Sequence, residues 1–336
     1  MVDLSTSYMG LSLRNPLVAS ASPLSHTVEG IRRLADAGVG AVVMHSLFEE
    51  EVEAEAERQV ALSEAGSESF AESLSYFPEV PGVEAAGKRY LSVLERASAA
   101  VEVPVIASLN GTGPSGWTRY AQKMESAGAA AIELNIYSTP PGPEEPGRAV
   151  EERHVDVLAL VKAAVSVPVA VKLSPYYSSV GEVALRLAEA GADALVLFNR
   201  FLHPDVDPEL LEVVPGIGLS RPQEGRLART WLALLRPRVD IGLAASTGVE
   251  GPEDVVKYLL AGADVVMSAS ALLRHGPGHT QVLLDGLREW MSRKGFTTLG
   301  EVRGALAASG PDQAGRERAR YVEAMRAANS NLTGPW

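Results

Sequence analysis

The sequence contains no cysteine among its 336 residues. Disulfides, thiolate metal sites and a thiol nucleophile are therefore excluded. Basic residues are also in deficit, because 30 lysines and arginines stand against 42 aspartates and glutamates and give a net charge of −12 at pH 7. Since binding to a nucleic-acid backbone needs a basic surface, we expect no nucleic-acid partner.

Long apolar runs are missing too, and none reaches the roughly 18 residues of a membrane-spanning helix. The segment Met1–Ser5 lacks the basic and apolar regions of a signal peptide. We therefore expect no membrane association and a cytoplasmic location. The six histidines show no paired ligand spacing, and no carboxylate cluster follows a predicted strand, so we expect no catalytic metal.

An internal repeat organises the chain. In one half of the unit, an alanine-rich helical pattern stops at a glycine and an apolar strand follows at once, which happens at Gly38, Gly128, Gly191 and Gly262. Glycine is the usual residue after the end of a helix. In the other half, an apolar strand that again follows a helical pattern begins at Val103, Val167 and Val239.

The two halves alternate regularly. Successive glycines lie 90, 63 and 71 residues apart and successive valines 64 and 72, so a unit of two strands and two helices recurs with one insertion in the first unit. With Pro16–Ser20 as the opening strand, the pattern predicts an α/β protein with a (β/α)₈ TIM-barrel fold. A doubly wound open sheet is the alternative, but the repeat and the lack of a strand-G-x-G-x-x-G-helix motif favour the barrel.

We expect a single barrel domain over residues 1–306, followed by a helical extension and tail over residues 307–336. The acidic segment Glu49–Glu72 forms an insertion after strand 2. It is typical of a solvated loop or helix, and a lid or a partner surface is the alternative. A loop rich in Pro, Gly and Glu follows strand 4, from Tyr137 to Arg148.

In a barrel of this type, functional residues lie at the C-terminal ends of the strands. Apart from one histidine and Lys172, those ends here carry residues that are small, polar or amides; with the histidine, they are Ser20, His45, Ser46, Asn110, Asn135, Asn199, Thr247, Gly248, Ala269 and Ser270. Asparagine amides suit a flat heterocycle with imide groups better than a metal. The loops after strands 7 and 8 are rich in Gly, Ser and Thr, and each runs into a helix, which is typical of a phosphate site.

Lys172 follows the apolar strand Val167–Val171 and is one of six lysines in the chain. A buried ammonium group needs a partner, because its desolvation costs several kcal/mol. Two interpretations are open. Glu133 on the neighbouring strand neutralises Lys172 for structural reasons, or Lys172 faces a bound anion or an electron-rich cofactor.

Several segments resemble motifs of the dihydroorotate dehydrogenase family, which are FMN-dependent (β/α)₈ barrels: Asn15–Ser22, Glu133–Ile136, Val171–Tyr176 and the ends of strands 7 and 8. The resemblance covers about Leu4 to Leu306. It implies that FMN is bound by Ala19, Ser20, His45, Ser46, Asn135, Lys172, Asn199, Thr247, Gly248, Ala269 and Ser270. It also implies a substrate site at Asn135, Asn199 and Arg200.

The family's catalytic base is a Cys or Ser in the loop after strand 4, and Ser138 falls on that position. The implied reaction oxidises dihydroorotate to orotate, a step of pyrimidine biosynthesis, or acts on a related cyclic imide. Ser138 would remove a C–H proton while hydride passes to flavin N5, and Lys172 would stabilise the reduced ring. A serine is a poor base at its free pKa, so it needs an adjacent water or acceptor. Members of this type are usually homodimers.

The substrate side departs from the family pattern more than the flavin side does. Thr139–Pro140 stands where the family has Pro-Asn, and His45 where a Lys is usual. Three functions remain open. The first is the dehydrogenase itself. The second is an FMN barrel of altered specificity that serves as an electron-transfer or accessory subunit of a larger oxidoreductase. The third is a flavin-free isomerase or aldolase, in which Lys172 forms a Schiff base.

Overall fold

A computed structural model of the chain describes residues 2–52, 54, 86–111, 113–136, 144–200, 204–214, 216, 218–307, 318–319 and 321–327. Eight parallel strands form a closed barrel, with the last strand paired to the first. In chain order they are β1 (Leu17–Ala19), β2 (Ala41–Phe48), β3 (Val105–Asn110), β4 (Ala131–Asn135), β5 (Val169–Lys172), β6 (Ala194–Leu197), β7 (Gly242–Ala245) and β8 (Val265–Ser268). The predicted TIM barrel is confirmed.

Helices follow the strands and cover the outside of the barrel. They are α1 (Val28–Asp36), α2 (Ala86–Ser98), α3 (Pro114–Ser126), α4 (Gly147–Ala164), α5 (Val180–Glu189), α6 (Gly225–Leu235), α7 (Pro252–Ala261), α8 (Ser270–His275), α9 (His279–Lys294) and α10 (Leu299–Val302). The four repeat glycines have φ angles between 89° and 117°, so each reverses the chain after a helix in a conformation that favours glycine. The sequence repeat therefore marks the turns from helix to strand.

Strand β2 extends further than the sequence pattern predicts. His45 and Ser46 lie within the strand instead of in the loop after it, and Ser46 is in register with Ser108 on β3. The register shifts between Val43 and Ser46, as at a β-bulge. Such an irregularity changes the direction of the side chains that follow, and here it affects residues at the mouth of the barrel.

The barrel interior is filled mainly by small side chains. Alanines and valines form its inner core, and an N-terminal hairpin (Thr6–Tyr8 paired with Leu11–Leu13) packs against them. Tyr8 of this hairpin is 1% exposed. A Cβ atom on Gly242 would lie 3.1 Å from Tyr8 Cδ2, so the tyrosine ring occupies space that a larger residue on β7 would fill. The hairpin therefore closes the N-terminal end of the barrel.

Two aspartates of the repeat perform the same structural task. Asp193 accepts hydrogen bonds from the Val169 amide and from Lys162 Nζ, at 2.7 and 2.6 Å. Asp264 accepts a bond from the Leu243 amide at 2.7 Å and also contacts two arginines. Each carboxylate thus accepts a backbone amide near the start of the neighbouring parallel strand.

Three segments depart from the repeat. Residues 49–52 and 54 are helical, and the remaining residues of the acidic insertion lie outside the described part of the chain. An outer hairpin (Asp205–Asp207 paired with Glu212–Val214) follows β6. In the predicted extension, residues 321–327 are helical, while the division at residue 306 stays a prediction. None of the described helices is both long and apolar enough to span a membrane.

Candidate active site

A cavity of about 380 Å³ opens at the C-terminal ends of the barrel strands. Seven of the eight barrel strands contribute residues to the lining, either from the strand itself or from the loop that follows it. Among the described residues, β3 contributes none. The described residues that line it are Ser20, Ala21, Ser22, Pro23, His26, His45, Ser46, Phe48, Glu51, Asn135, Lys172, Phe198, Asn199, Arg200, Ser220, Ser246, Thr247, Gly248, Val249, Met267, Ala269 and Ser270. Its volume lies within the range of small-molecule sites.

Lys172 is paired with Glu133, as one of the two interpretations expects, and it also lies at the cavity. Its Nζ atom donates to Glu133 Oε1 at 3.3 Å, and the two side chains are 8% and 1% exposed. At the same time Lys172 lines the cavity, and no second hydrogen bond to its ammonium group occurs among the described residues. An ammonium group has three donors. Glu133 therefore holds Lys172 in place, and two donors remain for a ligand.

A chain of polar side chains crosses the cavity floor from β6 to β3. Asn199 Nδ2 donates to Asn135 Oδ1 at 2.5 Å, and Asn135 Nδ2 donates to Ser46 Oγ at 3.1 Å. Ser46 Oγ in turn lies 2.8 Å from Ser108 Oγ. These bonds fix the rotation of both amides, because both ends of the Asn135 amide and the Nδ2 end of the Asn199 amide are hydrogen-bonded to neighbours. The remaining amide groups can pair with the N–H and C=O groups of a flat ring.

His45 lies on one wall of the cavity in an aromatic cluster. Its ring centroid is 3.9 Å from that of His26 and 5.0 Å from that of Tyr90. Burial lowers the pKa of His45 from 6.5 to about 4, the nearby His26 adds to this effect, and a contact with the Ser25 carbonyl opposes it. The imidazole is therefore uncharged at neutral pH.

The loops after β7 and β8 meet at a cradle of backbone and hydroxyl groups. Thr247 and Gly248 have φ angles of 78° and 69°, and a Cβ on Gly248 would lie 2.7 Å from the Arg221 carbonyl oxygen. The Gly248 amide, expected to face a phosphate, donates to Ser220 Oγ at 3.1 Å. Ser220 Oγ in turn donates to Ser270 Oγ at 3.0 Å. Hydroxyl groups thus stand at the predicted phosphate position.

Arg274 supports this cradle from outside the cavity. Its guanidinium group contacts the Glu250 carboxylate and donates to the Ser220 carbonyl oxygen at 2.7 Å. Tyr258 adds a second support, because its hydroxyl donates to the carbonyl oxygens of Ser246 and Thr247 at 3.1 and 2.5 Å. Side chains that do not line the cradle therefore connect the loop after β7 and the segment at Ser220 to helices α7 and α8.

The structure brings nearly all of the sequence-predicted site residues together. Of the eleven predicted flavin contacts, ten line the cavity, and Arg200 of the predicted substrate site lines it too. Ala19 is the exception. It is 1% exposed and packs in the core between barrel and helices, because side chains alternate along β1 and Ser20 faces the cavity. Ser138, the predicted base, lies outside the described residues.

Several lining residues were missed by the sequence reasoning. Met267 could have been found, because strand alternation places it on the same face as Ala269. His26 lies six residues beyond Ser20 in the loop after β1, and Ser220 lies beyond the outer hairpin. No strand-end signal marks either of them. Glu51 belongs to the acidic insertion, for which we expected a solvated loop or helix, with a lid or a partner surface as the alternative.

The sequence model of the family described as dihydroorotate dehydrogenase matches residues 3–291. The chain belongs to the dihydroorotate dehydrogenase family. The match spans all eight barrel strands and every described residue that lines the cavity. The family match therefore covers the whole barrel.

Two relatives within the dihydroorotate dehydrogenase family illustrate the similarity. The chain is 31% identical over 320 residues to the dihydroorotate dehydrogenase B (NAD(+)) catalytic subunit of Methanothermobacter thermautotrophicus, covering 90% of this chain and 97% of the relative. It is 29% identical over 317 residues to the protein of the same name from Desulforudis audaxviator, with 92% and 99% covered. Both relatives thus align along nearly their whole length.

A solved structure of the dihydroorotate dehydrogenase family shows the same fold. The enzyme of Eimeria tenella, in complex with ferulenol, superposes with a TM-score of 0.63 at 14% identity, covering 90% of this chain and 88% of that one. At this identity the likeness concerns the fold alone.

Within the described part of the chain, no group of three or more His, Asp and Glu residues is placed to hold a metal ion.

Proposed function

We propose that the protein is an FMN-dependent dehydrogenase that oxidises a CH–CH bond of dihydroorotate or of a related cyclic imide. Membership in the dihydroorotate dehydrogenase family gives the class of reaction. The observation that carries the proposal for this chain is Lys172, whose ammonium group is fixed by Glu133 and has two donors left at the cavity. This arrangement suits an electron-rich ring that becomes more negative when it is reduced.

The residues of the cavity fit FMN. Two asparagine amides and several hydroxyl groups match the imide edge of a flavin, and the cradle at Gly248 has no room for a Cβ atom. The residues that would hold FMN are Ser20, His45, Ser46, Asn135, Lys172, Asn199, Thr247, Gly248, Ala269 and Ser270, with Ser220 added by its position between Gly248 and Ser270. When bound, FMN supplies the two-electron acceptor for the oxidation.

The protein's own residues orient the substrate and remove its proton. Asn135 and Asn199 are pre-oriented by their mutual hydrogen bond, so they can hold a planar ring without losing side-chain freedom on binding. Arg200 at the rim lies 3.2 Å from Glu224. Ser138 is proposed as the base from its position in the sequence.

The assignment of Ser138 predicts a selective effect on one step. Ser138→Ala should slow flavin reduction by the substrate about 10²- to 10⁴-fold, because general-base catalysis contributes that much. Ser138→Cys is the matched control and should retain most of the rate, since the family uses either residue as base. The measurement is anaerobic stopped-flow bleaching of the flavin band. An unchanged rate in Ser138→Ala would remove Ser138 from the mechanism.

A second candidate function is an electron-transfer barrel within a larger oxidoreductase. The names of the two relatives, which are called catalytic subunits, support a partner subunit in this proposal, while the specificity of the chain itself is left to experiment. Under this proposal the chain binds FMN but exchanges electrons with a partner protein. The homodimer predicted from the family is a third arrangement, which sedimentation velocity would test.

Anaerobic titration of the FMN-loaded protein with a panel of cyclic imides separates these functions. Bleaching of the flavin by one of them supports the dehydrogenase. A flavin that dithionite reduces but that no cyclic imide reduces supports the electron-transfer subunit. Failure to take up FMN from solution contradicts both, and favours an isomerase or aldolase with Lys172 as its reactive amine.

A further inference from the structure

The ring of Tyr8 lies inside the barrel, on the N-terminal side of the ion pair formed by Lys172 and Glu133. Tyr8 enters from the N-terminal end and belongs to the inner core that Ala131 and Ala170 also form. Ala131 stands two residues before Glu133 on β4, and Ala170 stands two residues before Lys172 on β5. Because alternate residues of a strand face the same side, both members of the ion pair lie in the next layer towards the cavity.

The N-terminal hairpin holds this ring in place. Thr6 Oγ1 donates to the Asp264 carbonyl oxygen at 3.2 Å, which ties the hairpin to the start of β8. Residues 9 and 10, between the two strands, have φ angles of 54° and 75°, the conformation of a tight two-residue hairpin turn. One edge of the Tyr8 ring packs on Gly242, where an added Cβ would lie 3.1 and 3.2 Å from Cδ2 and Cε2. The hydroxyl group of Tyr8 therefore has a fixed position in the interior.

Two buried polar atoms of this interior have no hydrogen-bond partner among the described residues. They are the hydroxyl oxygen of Tyr8 and the Oε2 atom of Glu133. Burial raises the pKa of Tyr8, the charge of Glu133 adds to this effect, and the charge of Asp264 adds less. The hydroxyl group therefore keeps its hydrogen at neutral pH and lies within electrostatic reach of Glu133. One atom is a donor and the other an acceptor, so each can satisfy the other.

We propose that the Tyr8 hydroxyl donates to Glu133 Oε2 through one buried water, and that Tyr8 is thereby a positioning residue for Lys172. A bridge is required because the two atoms make no direct hydrogen bond, and buried waters typically join polar groups of this kind. Glu133 Oε1 accepts from Lys172 Nζ at 3.3 Å. When the tyrosine supplies Oε2, the carboxylate does not draw the ammonium group further onto itself. The remaining donors of Lys172 then stay directed at the cavity.

Tyr8→Phe tests the contact by the sign of its effect on the apoprotein. If the hydroxyl is unpaired, its removal takes a polar group out of an apolar interior and leaves stability unchanged or higher. If it supplies Glu133, we expect its removal to raise the unfolding equilibrium constant about tenfold or more, because the bond is made to a charged group. Urea denaturation measures this constant. Tyr321→Phe is the matched control and should have no effect, since that side chain is 66% exposed.

A double-mutant cycle identifies the partner of Tyr8. Tyr8→Phe is combined with the double variant Lys172→Met/Glu133→Leu, which removes the carboxylate and its lysine together. In this background we expect Tyr8→Phe to lose its destabilising effect, because the acceptor is gone. A loss of stability of the same size with and without Glu133 would show that Tyr8 acts through packing alone.

The effect of Tyr8 on Lys172 is measured with bound flavin and rests on the proposed function. We expect Tyr8→Phe to weaken the binding of reduced FMN about threefold or more relative to oxidised FMN, because a retracted ammonium group compensates less of the charge on the reduced ring. Flavin fluorescence gives the Kd of oxidised FMN. The reduction potential of the bound flavin, measured anaerobically against a reference dye, gives the ratio of the two affinities. A purely structural role of Tyr8 would weaken both affinities alike.

The failure of the inference and the failure of the proposed function are distinguishable. A neutral or stabilising effect of Tyr8→Phe overturns the contact with Glu133, whether or not FMN binds. An unchanged ratio of the two affinities overturns the positioning role. A protein that takes up no FMN contradicts the proposed function and with it the role of Tyr8 towards the flavin, while the cycle in the apoprotein still supports or overturns the contact.

Discussion

Lys172 and Glu133 form a buried ion pair at the floor of the cavity, and the pair has both structural and functional consequences. The glutamate side chain is 1% exposed, and its Oε2 atom has no hydrogen-bond partner among the described residues. Removal of the lysine would therefore leave a buried carboxylate without compensation. The two roles can be separated only by changing the residues together as well as singly.

Lys172→Met should lower the free energy of unfolding by about 3–5 kcal/mol, since breaking a buried ion pair from one side costs that much. The double variant Lys172→Met/Glu133→Leu should recover most of this loss, because no unpaired charge remains. Urea denaturation of the apoprotein measures both. Retention of FMN should stay impaired in the two variants alike. Normal FMN retention in the double variant would make the role of Lys172 purely structural.

His45 predicts a specific pH dependence of stability. Burial and the neighbouring His26 lower its pKa from 6.5 to about 4 in the folded protein, so between these values the unfolded chain binds a proton that the folded one does not. The free energy of unfolding is therefore unaffected by His45 titration above pH 6.5, and it falls as the pH drops from 6.5 towards 4. Because the ring is partly exposed, we expect His45 to account for a loss of about 1–2 kcal/mol in the free energy of unfolding over this pH range.

The comparison of wild type with His45→Gln isolates this contribution. Urea denaturation at several values between pH 7 and pH 4 should show a shallower decline for the variant, because glutamine does not titrate. Other titrating groups affect both proteins equally and cancel in the difference. Parallel curves would show that His45 titrates alike in the folded and unfolded states.

At the scale of one element, the turn between β7 and α7 is the most constrained part of the site. Gly248 has a φ of 69°, and its Cα faces backbone atoms of Arg221 and Gly225. Backbone atoms cannot move away as the end of a flexible side chain can. Tyr258 of α7 fixes the same turn through the carbonyl oxygens of Ser246 and Thr247. The shape of the cradle therefore requires a residue without a side chain at position 248.

Gly248→Ala should lower the free energy of unfolding by about 1–3 kcal/mol, through a strained φ and a close contact. It should also weaken FMN binding by displacing the cradle. Gly147→Ala is the matched control. Gly147 begins α4 with no heavy atom within 4 Å of its added Cβ, so the change should be neutral or slightly stabilising. Equal effects of the two substitutions on FMN affinity would show that the cradle does not bind the phosphate.

At the scale of the whole molecule, side chains at the end of the barrel opposite the site hold neighbouring strands together. The aspartates at the N-terminal ends of β6 and β8 bind neighbouring strands, and Asp264 also holds Arg236 and Arg303 at 2.8 and 2.6 Å. The segment after α9 is thereby tied to the barrel. Since all eight strands pair in one ring, a ligand that contacts several strand ends should stabilise the domain as a unit.

FMN should therefore raise the thermal midpoint of the apoprotein. A ligand at about 100 times its Kd stabilises the folded state by about 2.7 kcal/mol, which corresponds to a few degrees for a domain of this size. Riboflavin, which lacks the phosphate, should give a smaller shift if the cradle holds that group. Differential scanning fluorimetry measures both. Equal shifts of the thermal midpoint with FMN and riboflavin would show that the protein does not bind the FMN phosphate.

The sequence by itself determined the barrel and most of its rim. Helix-ending glycines followed by apolar strands recur along the chain, and this local chemistry allows few folds. Because strands of a parallel barrel present their C-terminal ends at one face, the strand-end residues Asn135, Lys172 and Asn199 could be assigned to a common site before any contact was known.

Tertiary structure decided which charged side chains of the site are paired and which way its side chains face. The pairing of Arg200 with Glu224 and the packing of His45 against His26 join residues that are separated in the chain. No local pattern encodes such contacts. Ser220 enters the cradle for the same reason, since a returning loop brings a side chain to the site without a signal in the residues beside it. Ala19, by contrast, faces the helices through the alternation of side chains along β1, a local pattern that the assignment of Ala19 to the flavin overlooked.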